Sequence, residues 1–188
     1  MIIGVDEVGR GCLAGPVVAA AVLLKNKTFK NRIDDSKKLS PLQRQKAFPE
    51  IIKKSIYGVG VVGEKTIDRL NILVATRIAM EKAIAVLLKD LKPKTTKRIR
   101  VLVDGNVNLK IKFPFTNIIK GDSKSKSIAC ASILAKVTRD RMMVAYDKVY
   151  PGYGFWQHKG YPTAAHRLAV NKIGLSSIHR LSFCHGSG

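Results

Sequence analysis

The sequence predicts an α/β protein whose sheet mixes antiparallel and parallel strands. Two short runs rich in β-branched residues, Met1–Val8 and Val17–Leu24, open the chain. The glycines and the proline between them punctuate a strand rather than continue it. Helical segments and further short strands then alternate along the chain. Strands that cluster first and alternate with helices later favour an antiparallel meander joined to parallel strands through right-handed crossovers.

A loop, a helix and a strand follow the opening pair of strands. Residues 25–39 are highly charged and predict a loop. Ser40 and Pro41 match the preferred N-cap and first position of a helix, which we expect to run to about Lys54. Residues 55–63 return to a strand pattern.

Three more helices are predicted in the rest of the chain. Residues 66–91 carry polar side chains near a seven-residue step with apolar residues between them, which predicts the longest helix, largely buried. Residues 125–146 predict another, broken by the Pro-Gly pair at 151–152. Residues 163–172 predict the last one, closed by Gly174.

Two predicted strands end at conspicuous aspartates. Asp104 follows the strand over 98–103, and Asp122 follows the strand over 115–119. Ligands of such sheets bind at the carboxyl ends of strands, near the point where the strand order switches. We therefore expect the chemistry of the protein at this edge of the sheet.

Size and charge predict one domain that binds a polyanion. The chain has 188 residues, 46% of them hydrophobic, which suffices for one compact domain over 1–188. Lys and Arg number 34 against 13 acidic residues, a net charge of +21, and no acid follows Asp147. A merely solubilising surface and a ribosomal-type protein with basic tails are the alternatives, but the apolar pattern continues to Phe183. We expect the helical part over about 147–188 to assist nucleic-acid binding.

Composition also excludes a membrane protein and favours a cytoplasmic one. The longest apolar run, Leu13–Leu24, has twelve residues broken by a glycine and a proline, short of the ~20 that span a bilayer. No basic segment precedes the first apolar residues, unlike a secretory signal. Cys12, Cys130 and Cys184 are too scattered for a disulfide framework or a zinc site and fit reduced thiols.

Four acids carry the chemical prediction. Asp6, Glu7, Asp104 and Asp122 stand out in so basic a chain, and carboxylates are the ligands that hard divalent cations prefer. Two such ions about 4 Å apart clamp the attacking and leaving oxygens of an in-line displacement at phosphorus. The combination of a basic surface and a carboxylate cluster favours a metal-dependent nuclease.

Each acid taken alone has a simpler explanation. Asp104 precedes a glycine and fits a turn, Asp122 fits the start of a helix, and Asp6 with Glu7 fits a solvated strand end. Adjacent residues of a regular strand also point to opposite faces, so Asp6 and Glu7 share a site only if the strand is distorted. The glycines that follow predict such a distortion.

Several motifs together resemble the bacterial ribonuclease HII family. They match it in order, with family-like spacing and over almost the whole chain, and the triplet Gly9-Arg10-Gly11 separates the match from the related ribonuclease HIII. The segments are DEVGRG at 6–11 with LAGPVVAAAV after it, DSKKLS at 35–40, LVDGN at 102–106, KGDSKSKSIACASILAKVTRD at 120–140 and HKGYPTAAH at 158–166.

The resemblance implies one catalytic domain with a ribonuclease H-like, three-layer fold, in which helices flank a mixed five-stranded sheet. It implies an endoribonuclease that cleaves the RNA strand of RNA–DNA hybrids and nicks at single ribonucleotides in duplex DNA, leaving 5′-phosphate and 3′-hydroxyl ends. Two divalent ions, Mg²⁺ or Mn²⁺, are the implied cofactors. The implied partner is nucleic acid, without an obligate protein partner, and we expect a monomer.

The resemblance also assigns roles to individual residues. The family's four catalytic metal ligands fall on the four acids named above. In the family the triplet, here Gly9-Arg10-Gly11, contacts the ribonucleotide 2′-hydroxyl and adjoining phosphates, and the tyrosine, here Tyr161, packs on the sugar beyond the junction. Lys37 resembles a phosphate contact, with a solvated lysine as the alternative. Cys12 and Cys130 depart from the family's usual proline and alanine.

Other chemically interesting residues favour structural roles. His158, His166, His179 and His185 lack zinc-ligand spacing, so structural or phosphate-facing roles are predicted. The aromatic residues over 150–156 lie beside a proline and a glycine and predict a packed corner rather than a base-stacking platform.

Three functions remain open at this point. They are the ribonuclease H activity, another carboxylate nuclease of the same fold such as a junction resolvase or an exonuclease, and a non-catalytic nucleic-acid-binding protein. The triplet and Tyr161 favour the first over the second. The four acids argue against the third, because a pure binder gains nothing from negative charge where phosphate must lie.

Overall fold

The computed structural model describes residues 1–91 and 98–184, which contain five strands and seven α-helices. The strands are β1 Ile2–Val8, β2 Val17–Leu24, β3 Ser55–Val62, β4 Arg100–Asp104 and β5 Phe115–Ile118. The helices are α1 Pro41–Lys54, α2 Glu64–Leu70, α3 Ile72–Lys89, α4 Lys126–Val149, α5 Phe155–His158, α6 Ala164–Ile173 and α7 Leu181–Cys184. A 3-10 turn, Gly121–Ser123, follows β5.

The strands form one sheet in the order β3-β2-β1-β4-β5. β1 and β3 both pair antiparallel with β2, whereas β4 pairs parallel with β1 and with β5. The predicted mixed sheet, an antiparallel meander followed by parallel strands, is therefore confirmed. The order switches at β1, between the meander and the parallel strands, which places a ligand site at the ends of β1 and β4.

Helices cover both faces of the sheet and bury two separate apolar cores. On one face, α3 packs Ala79, Met80 and Ile84 onto alternate residues of β1, β2 and β4. On the other face, α1 and α4 pack residues such as Ile51 and Leu134 onto β2. Each of the larger side chains, Met80, Ile84, Ile51 and Leu134, contributes roughly 1.5–3 kcal/mol when fully buried. These three layers are the architecture expected for a ribonuclease H-like fold.

The single long helix predicted over 66–91 is wrong, because two helices occupy this region. The chain breaks at Asn71, whose φ of 71° lies in the left-handed region. Its Oδ1 accepts hydrogen bonds from the amides of Leu73 and Val74 at 3.0 and 3.1 Å, which caps α3. Asn tolerates this conformation and competes locally for backbone donors, so it ends one helix and starts the next. The longest helix is instead α4, with 24 residues.

The other predicted elements are found with small differences at their ends. Ser40 caps α1 in a reciprocal arrangement with Gln43, as its sequence position predicted. The helix predicted over 125–146 continues to residue 149. In α6, the Thr163 hydroxyl caps the first turn and Gly174 closes the last one.

Close contact between β1 and α4 positions the edge of the sheet that carries the acids. A Cβ atom built at Gly4 would lie only 2.3 Å from the backbone carbon of Ser127, so only glycine admits the helix at this distance. The first half of α4 consequently runs directly over β1 towards Asp6. Of the helices within 1–91 and 98–184, none is both long and apolar enough to cross a lipid bilayer.

Candidate active site

Three of the four predicted acids meet at the carboxyl ends of β1 and β4. Carboxylate oxygens of Asp6, Asp104 and Asp122 all lie within 4.8 Å of one another. Asp6 and Asp122 are only 5% and 8% exposed, whereas Asp104 is half-buried and lines a cavity with Asp122. The sheet brings together residues that are far apart in the sequence, as the strand-end positions predicted.

Backbone geometry after β5 carries Asp122 to the other two aspartates. Lys120 adopts a left-handed conformation, with φ of 55°, immediately before the 3-10 turn. The Gly121 amide donates to Asp104 Oδ1 at 2.6 Å, which ties the turn to the end of β4. The turn therefore orients one aspartate and adds the next one to the group.

Glu7 reaches the same region from a regular strand, so the predicted distortion of β1 is wrong. Pairing with β2 continues without a bulge through Glu7–Ala19 and Val8–Val18, and the chain turns only at Gly9, where φ is 93°. Glu7 lies outside the group of three aspartates, yet it lines one cavity of about 210 Å³ together with Asp6 and Asp104. The end position of Glu7 on the strand allows this despite the alternation of faces.

The acids raise one another's affinity for protons. Burial, followed by the charges of Glu7 and Asp104, holds the pKa of Asp6 well above its usual range. Burial also raises the pKa of Glu7, although Arg10 opposes the effect. The pKa of Asp122 is raised by burial and then by the charges of Asp35 and Asp104. Burial is the first cause at all three acids, and the charge of Asp104 adds to it in each case.

The donor set fits a hard divalent cation. All of its side-chain ligands are carboxylate oxygens, which Mg²⁺ and Mn²⁺ accept. Glu7 Oε1 contacts Arg10 at 3.3 Å, but Glu7 Oε2 is buried and has no hydrogen-bond partner among the described residues. A buried, unpartnered carboxylate oxygen beside three aspartates is what a cation at this place would satisfy.

Tyr161 lies in the wall of the same cavity as Asp6 and Glu7. Cations surround its ring, with Lys136 Nζ at 5.5 Å and the Arg139 guanidinium at 5.8 Å from the ring centre. Its hydroxyl faces Cys12, and burial raises the pKa of Tyr161 to about 12. Cys12, which departs from the family pattern, is buried and is one of the groups near Tyr161 that affect its pKa.

The loop after β1 carries the triplet next to the acids. Arg10 and Gly11 are exposed, whereas Gly9 is buried. Arg10 contacts Glu7, so the loop borders the carboxylates directly. A Cβ atom at Gly11 would meet no atom within 4 Å, which means that the space in front of this residue is open.

Lys37 is also found at the site. It lines the cavity that holds Tyr161, and a second cavity of about 350 Å³ that reaches Asp104 and Asp122. Asp35 contacts Asp122 in this second cavity and was missed by the sequence analysis. Its signal was available, because Asp35 opens the DSKKLS segment that carries Lys37.

Two further residues of the site lie on α4 and were not predicted from the sequence. Ser132 donates a hydrogen bond to Ser36 at 2.8 Å and interacts with the Asp6 carboxylate. Lys136, four residues later, lines the cavity beside Asp6. Polar residues spaced by four on a buried helix were the available signal, since that spacing puts both on one face.

A basic groove continues from the site across α1 and α4. Its volume is about 480 Å³, and it shares Arg44 and Lys136 with the cavity of the acids. Arg141 and Lys159 add positive charge further along, against a single acid, Asp140. The groove therefore offers a cationic path that leads to the carboxylates.

The histidines and aromatic residues of the C-terminal part pack together away from the acids. His158 stacks on His166 with ring centres 4.3 Å apart, and His166 contacts His179 at 3.0 Å. Tyr153 and Phe155 are buried against this group, which confirms the predicted packed corner for these two residues. Trp156, predicted to pack with them, is 54% exposed. His185 lies outside the described residues.

Fold and site together define a class of protein. A mixed sheet in this order, with a carboxylate group at the ends of its central parallel strands and a basic groove beside it, is a metal-dependent nuclease with a ribonuclease H-like fold. The family model described as Ribonuclease HII matches residues 3–186. The chain belongs to the ribonuclease HII family.

Individual relatives agree with this assignment. A ribonuclease HII of Ruminiclostridium cellulolyticum is 54% identical over 183 residues, covering 97% of this chain and 69% of that protein. The solved PCNA:RNase HII complex from Archaeoglobus fulgidus contains a chain with a TM-score of 0.77 and 25% identity, covering 96% of this chain and 94% of that one. A ribonuclease HIII solved in complex with Mn²⁺ shares the fold, with a TM-score of 0.68, 17% identity and coverage of 97% and 67%.

The family assignment fixes the general activity. As a ribonuclease HII, the protein is an endoribonuclease that acts on RNA–DNA hybrids and requires a divalent metal ion. This assignment removes the non-catalytic nucleic-acid binder from the three functions that the sequence left open.

Proposed function

We propose that the protein nicks duplex DNA at single embedded ribonucleotides as well as cleaving RNA–DNA hybrids, by two-metal-ion hydrolysis. The observation that carries this proposal is the meeting of Asp6, Asp104 and Asp122 beside both the Gly9-Arg10-Gly11 loop and Tyr161. A carboxylate group by itself is found in many nucleases. A loop that contacts Glu7 and an aromatic ring in the wall of the carboxylate cavity favour a nuclease that distinguishes the sugar.

In this proposal, Asp6, Glu7, Asp104 and Asp122 hold two divalent ions, Mg²⁺ or Mn²⁺. Bound ions supply activation of water and stabilisation of charge on the attacking and leaving oxygens. The phosphorus gains a bond to the water oxygen and loses its bond to the 3′ oxygen, which takes up a proton. The products are a 5′-phosphate and a 3′-hydroxyl.

The protein's own residues select and orient the strand. The exposed Gly9-Arg10-Gly11 loop reads the ribose, because backbone without Cβ atoms approaches a 2′-hydroxyl closely. Tyr161 presents its ring to the sugar of the adjoining deoxynucleotide. Lys37, between the two cavities, holds a phosphate, and Arg44 and Lys136 continue this contact into the basic groove.

The chain acts as one catalytic domain over 1–188, whose part over about 147–188 assists nucleic-acid binding. Lys159, in the wall of the basic groove, supports this role. Residues 185–188 of that part lie outside the described structure. We further propose that the protein works as a cytoplasmic monomer without an obligate protein partner, for which size-exclusion chromatography with light scattering is the test.

The activity is tested with three duplexes of one sequence: all-DNA, a single ribonucleotide in one strand, and an RNA–DNA hybrid. With Mg²⁺ or Mn²⁺ we expect cleavage of the last two, and a nick 5′ to the single ribonucleotide with a 3′-hydroxyl end. Chelation of the metal abolishes both. Cleavage of the all-DNA duplex would instead indicate another carboxylate nuclease of this fold.

A further inference from the structure

Two buried arginines contact the loop that carries the triplet, and the catalytic proposal uses neither of them. Arg139 on α4 and Arg180, between α6 and α7, are both 0% exposed. No described carboxylate forms an ion pair with either one. Burying a cation without an anion is costly, so these guanidiniums must be satisfied in another way.

The Arg180 guanidinium donates all of its hydrogen bonds to backbone carbonyl oxygens of the loop. It donates to Gly9 at 2.7 Å, to Arg10 at 2.9 Å, and to Gly15 at 2.7 and 2.9 Å. Backbone pairing holds Arg180 in register, because its own amide donates to the Leu13 carbonyl at 2.8 Å. The loop is thus closed around a guanidinium that comes from more than 160 residues away.

This arrangement separates the carbonyl groups of the loop from its amide groups. The carbonyls of Gly9 and Arg10 turn inward to Arg180. Within 1–91 and 98–184, the amides of Arg10 and Gly11 have no acceptor, and both residues are exposed. Amides of exposed residues that have no acceptor in the protein are available to an anion or a hydroxyl oxygen.

Arg139 connects the loop to the Tyr161 segment. It donates to Pro16 and Ala14 at 2.9 and 3.0 Å, and to Lys159 at 2.8 Å. The amide of Leu13 also donates to Gly160, next to Tyr161, at 2.8 Å. A Cβ atom at Gly9 would lie 2.2 Å from Arg139 Nε, so the guanidinium packs so closely against the loop that no side chain fits between them.

We propose that Arg180 and Arg139 are positioning residues for ribonucleotide recognition, which hold the triplet loop and the Tyr161 segment in one arrangement before substrate binds. The inference rests on the proposed function, in which these two elements read the ribose and the following deoxyribose. Preorganised contacts need no rearrangement on binding, and displacing them by about 1 Å costs roughly 100-fold in rate.

The test measures sugar discrimination separately from folding and from general affinity. Equilibrium binding of the all-DNA and single-ribonucleotide duplexes is measured in Ca²⁺, and kcat and KM are measured in Mg²⁺. For Arg180→Lys and Arg180→Met we expect loss of the preference for the ribonucleotide duplex and a kcat lower by about 100-fold. Affinity for the all-DNA duplex should stay within about twofold, because the basic groove is unchanged.

Ile178→Ala is the matched control. It removes a buried side chain from the same segment, 5% exposed, but no donor to the loop. This variant should lose thermal stability and keep the wild-type ribonucleotide preference. Arg180→Lys retains the charge and most of the side-chain length but not the guanidinium fork, so it tests the inference even if Arg180→Met does not fold.

Wild type and variants answer different questions. A wild-type protein that neither cleaves nor prefers the ribonucleotide duplex refutes the proposed function. A wild type that does both, together with an Arg180→Lys variant that keeps the full preference, refutes the positioning role alone. Coupling gives a second check, since the losses from Arg139→Lys and Tyr161→Ala should not add if Arg139 acts through the tyrosine segment.

Discussion

Asp6 on β1 and Asp104 on β4 lie side by side, one residue beyond the last pair of the parallel β1–β4 ladder. The two parallel strands pair as far as Val5 and Val103, the residues directly before each aspartate. The Asp104 charge is one of the causes that raise the pKa of Asp6. Two carboxylates this close repel each other, and a bound divalent cation would offset that repulsion and stabilise the folded protein.

Asp104→Asn should abolish metal-dependent cleavage and raise the stability of the metal-free protein. Removing the Asp104 charge reduces the electrostatic repulsion on Asp6 and Asp122. The Asn side-chain oxygen still accepts the hydrogen bond from the Gly121 amide. Removing this repulsion should raise Tm, by roughly 2–4 °C for each kcal/mol of added stability in a chain of this size. Thermal unfolding with and without Mg²⁺ measures this. Asp90→Asn, at an exposed helix end, is the control and should change neither property.

The same loss of cleavage is expected for Asp122→Asn, with duplex binding intact or tighter because a negative charge beside phosphate is gone. Near wild-type turnover in either variant would remove that aspartate from the metal site.

Gly9→Ala and Gly11→Ala should separate folding from recognition. At Gly9 an added Cβ meets Arg139 at 2.2 Å and the backbone has φ of 93°, so we expect a loss of about 1–3 kcal/mol in stability. At Gly11 the added Cβ meets nothing within 4 Å, so stability should stay within about 0.5 kcal/mol of wild type. Chemical denaturation gives both values. Reduced cleavage by the well-folded Gly11→Ala protein then reports contact with substrate, whereas unchanged kinetics would remove Gly11 from the reading loop.

Tyr161→Ala should lose more activity on a single ribonucleotide than affinity for duplexes in general. The ring is the contacting group in our proposal, so Tyr161→Phe should stay within about threefold of wild type while the alanine variant falls by at least about tenfold. Steady-state kinetics on both ribonucleotide substrates, with binding to all-DNA duplex as the reference, measures the difference. Equal weakening of all duplexes with an unchanged cleavage preference would assign Tyr161 to packing.

Duplex binding should depend strongly on salt, because the basic groove and Lys37 displace condensed counterions. Each neutralised phosphate contributes about 0.9 to the slope of log K against log salt on duplex DNA. Lys37→Ala should reduce this slope by about that amount and weaken all duplexes alike. Lys89→Ala, exposed at the far end of α3, is the matched control. A wild-type slope near zero would contradict a cationic path to the carboxylates.

The buried histidine pair should make stability fall in mild acid. His166 Nδ1 faces the Tyr161 carbonyl at 2.9 Å and must donate to it, so His166 Nε2 accepts from His179. Burial lowers the pKa of His166 to about 4 and that of His179 in the same direction. As the pH falls, the unfolded chain therefore takes up protons before the folded protein does. The free energy of unfolding is highest above pH 6.5 and decreases as the pH falls towards 4. His166 accounts for a decrease of about 3 kcal/mol. Urea unfolding at several pH values should show this slope in the wild type and a shallower one in His166→Gln.

Local sequence patterns predicted most of the secondary structure and identified the four acids as candidate metal ligands. Ser40 with Pro41 and Thr163 with Gly174 mark helix ends because capping depends on neighbouring residues only. Asn71 shows the limit of periodicity, since a single side chain that captures two amides ended a helix that the apolar pattern would have continued.

Only the tertiary structure decided how the site is assembled. Glu7 reaches the acids from a regular strand, because its place at the end of β1 outweighs the alternation of faces. Arg180 closes the loop of Gly9 across almost the whole length of the chain, and no local pattern encodes that contact. Sequence determines which residues favour turns, caps and strands, because those preferences are local. The distances between charges and the burial of two arginines depend on packing among distant segments, so they are decided only when the sheet and its helices come together.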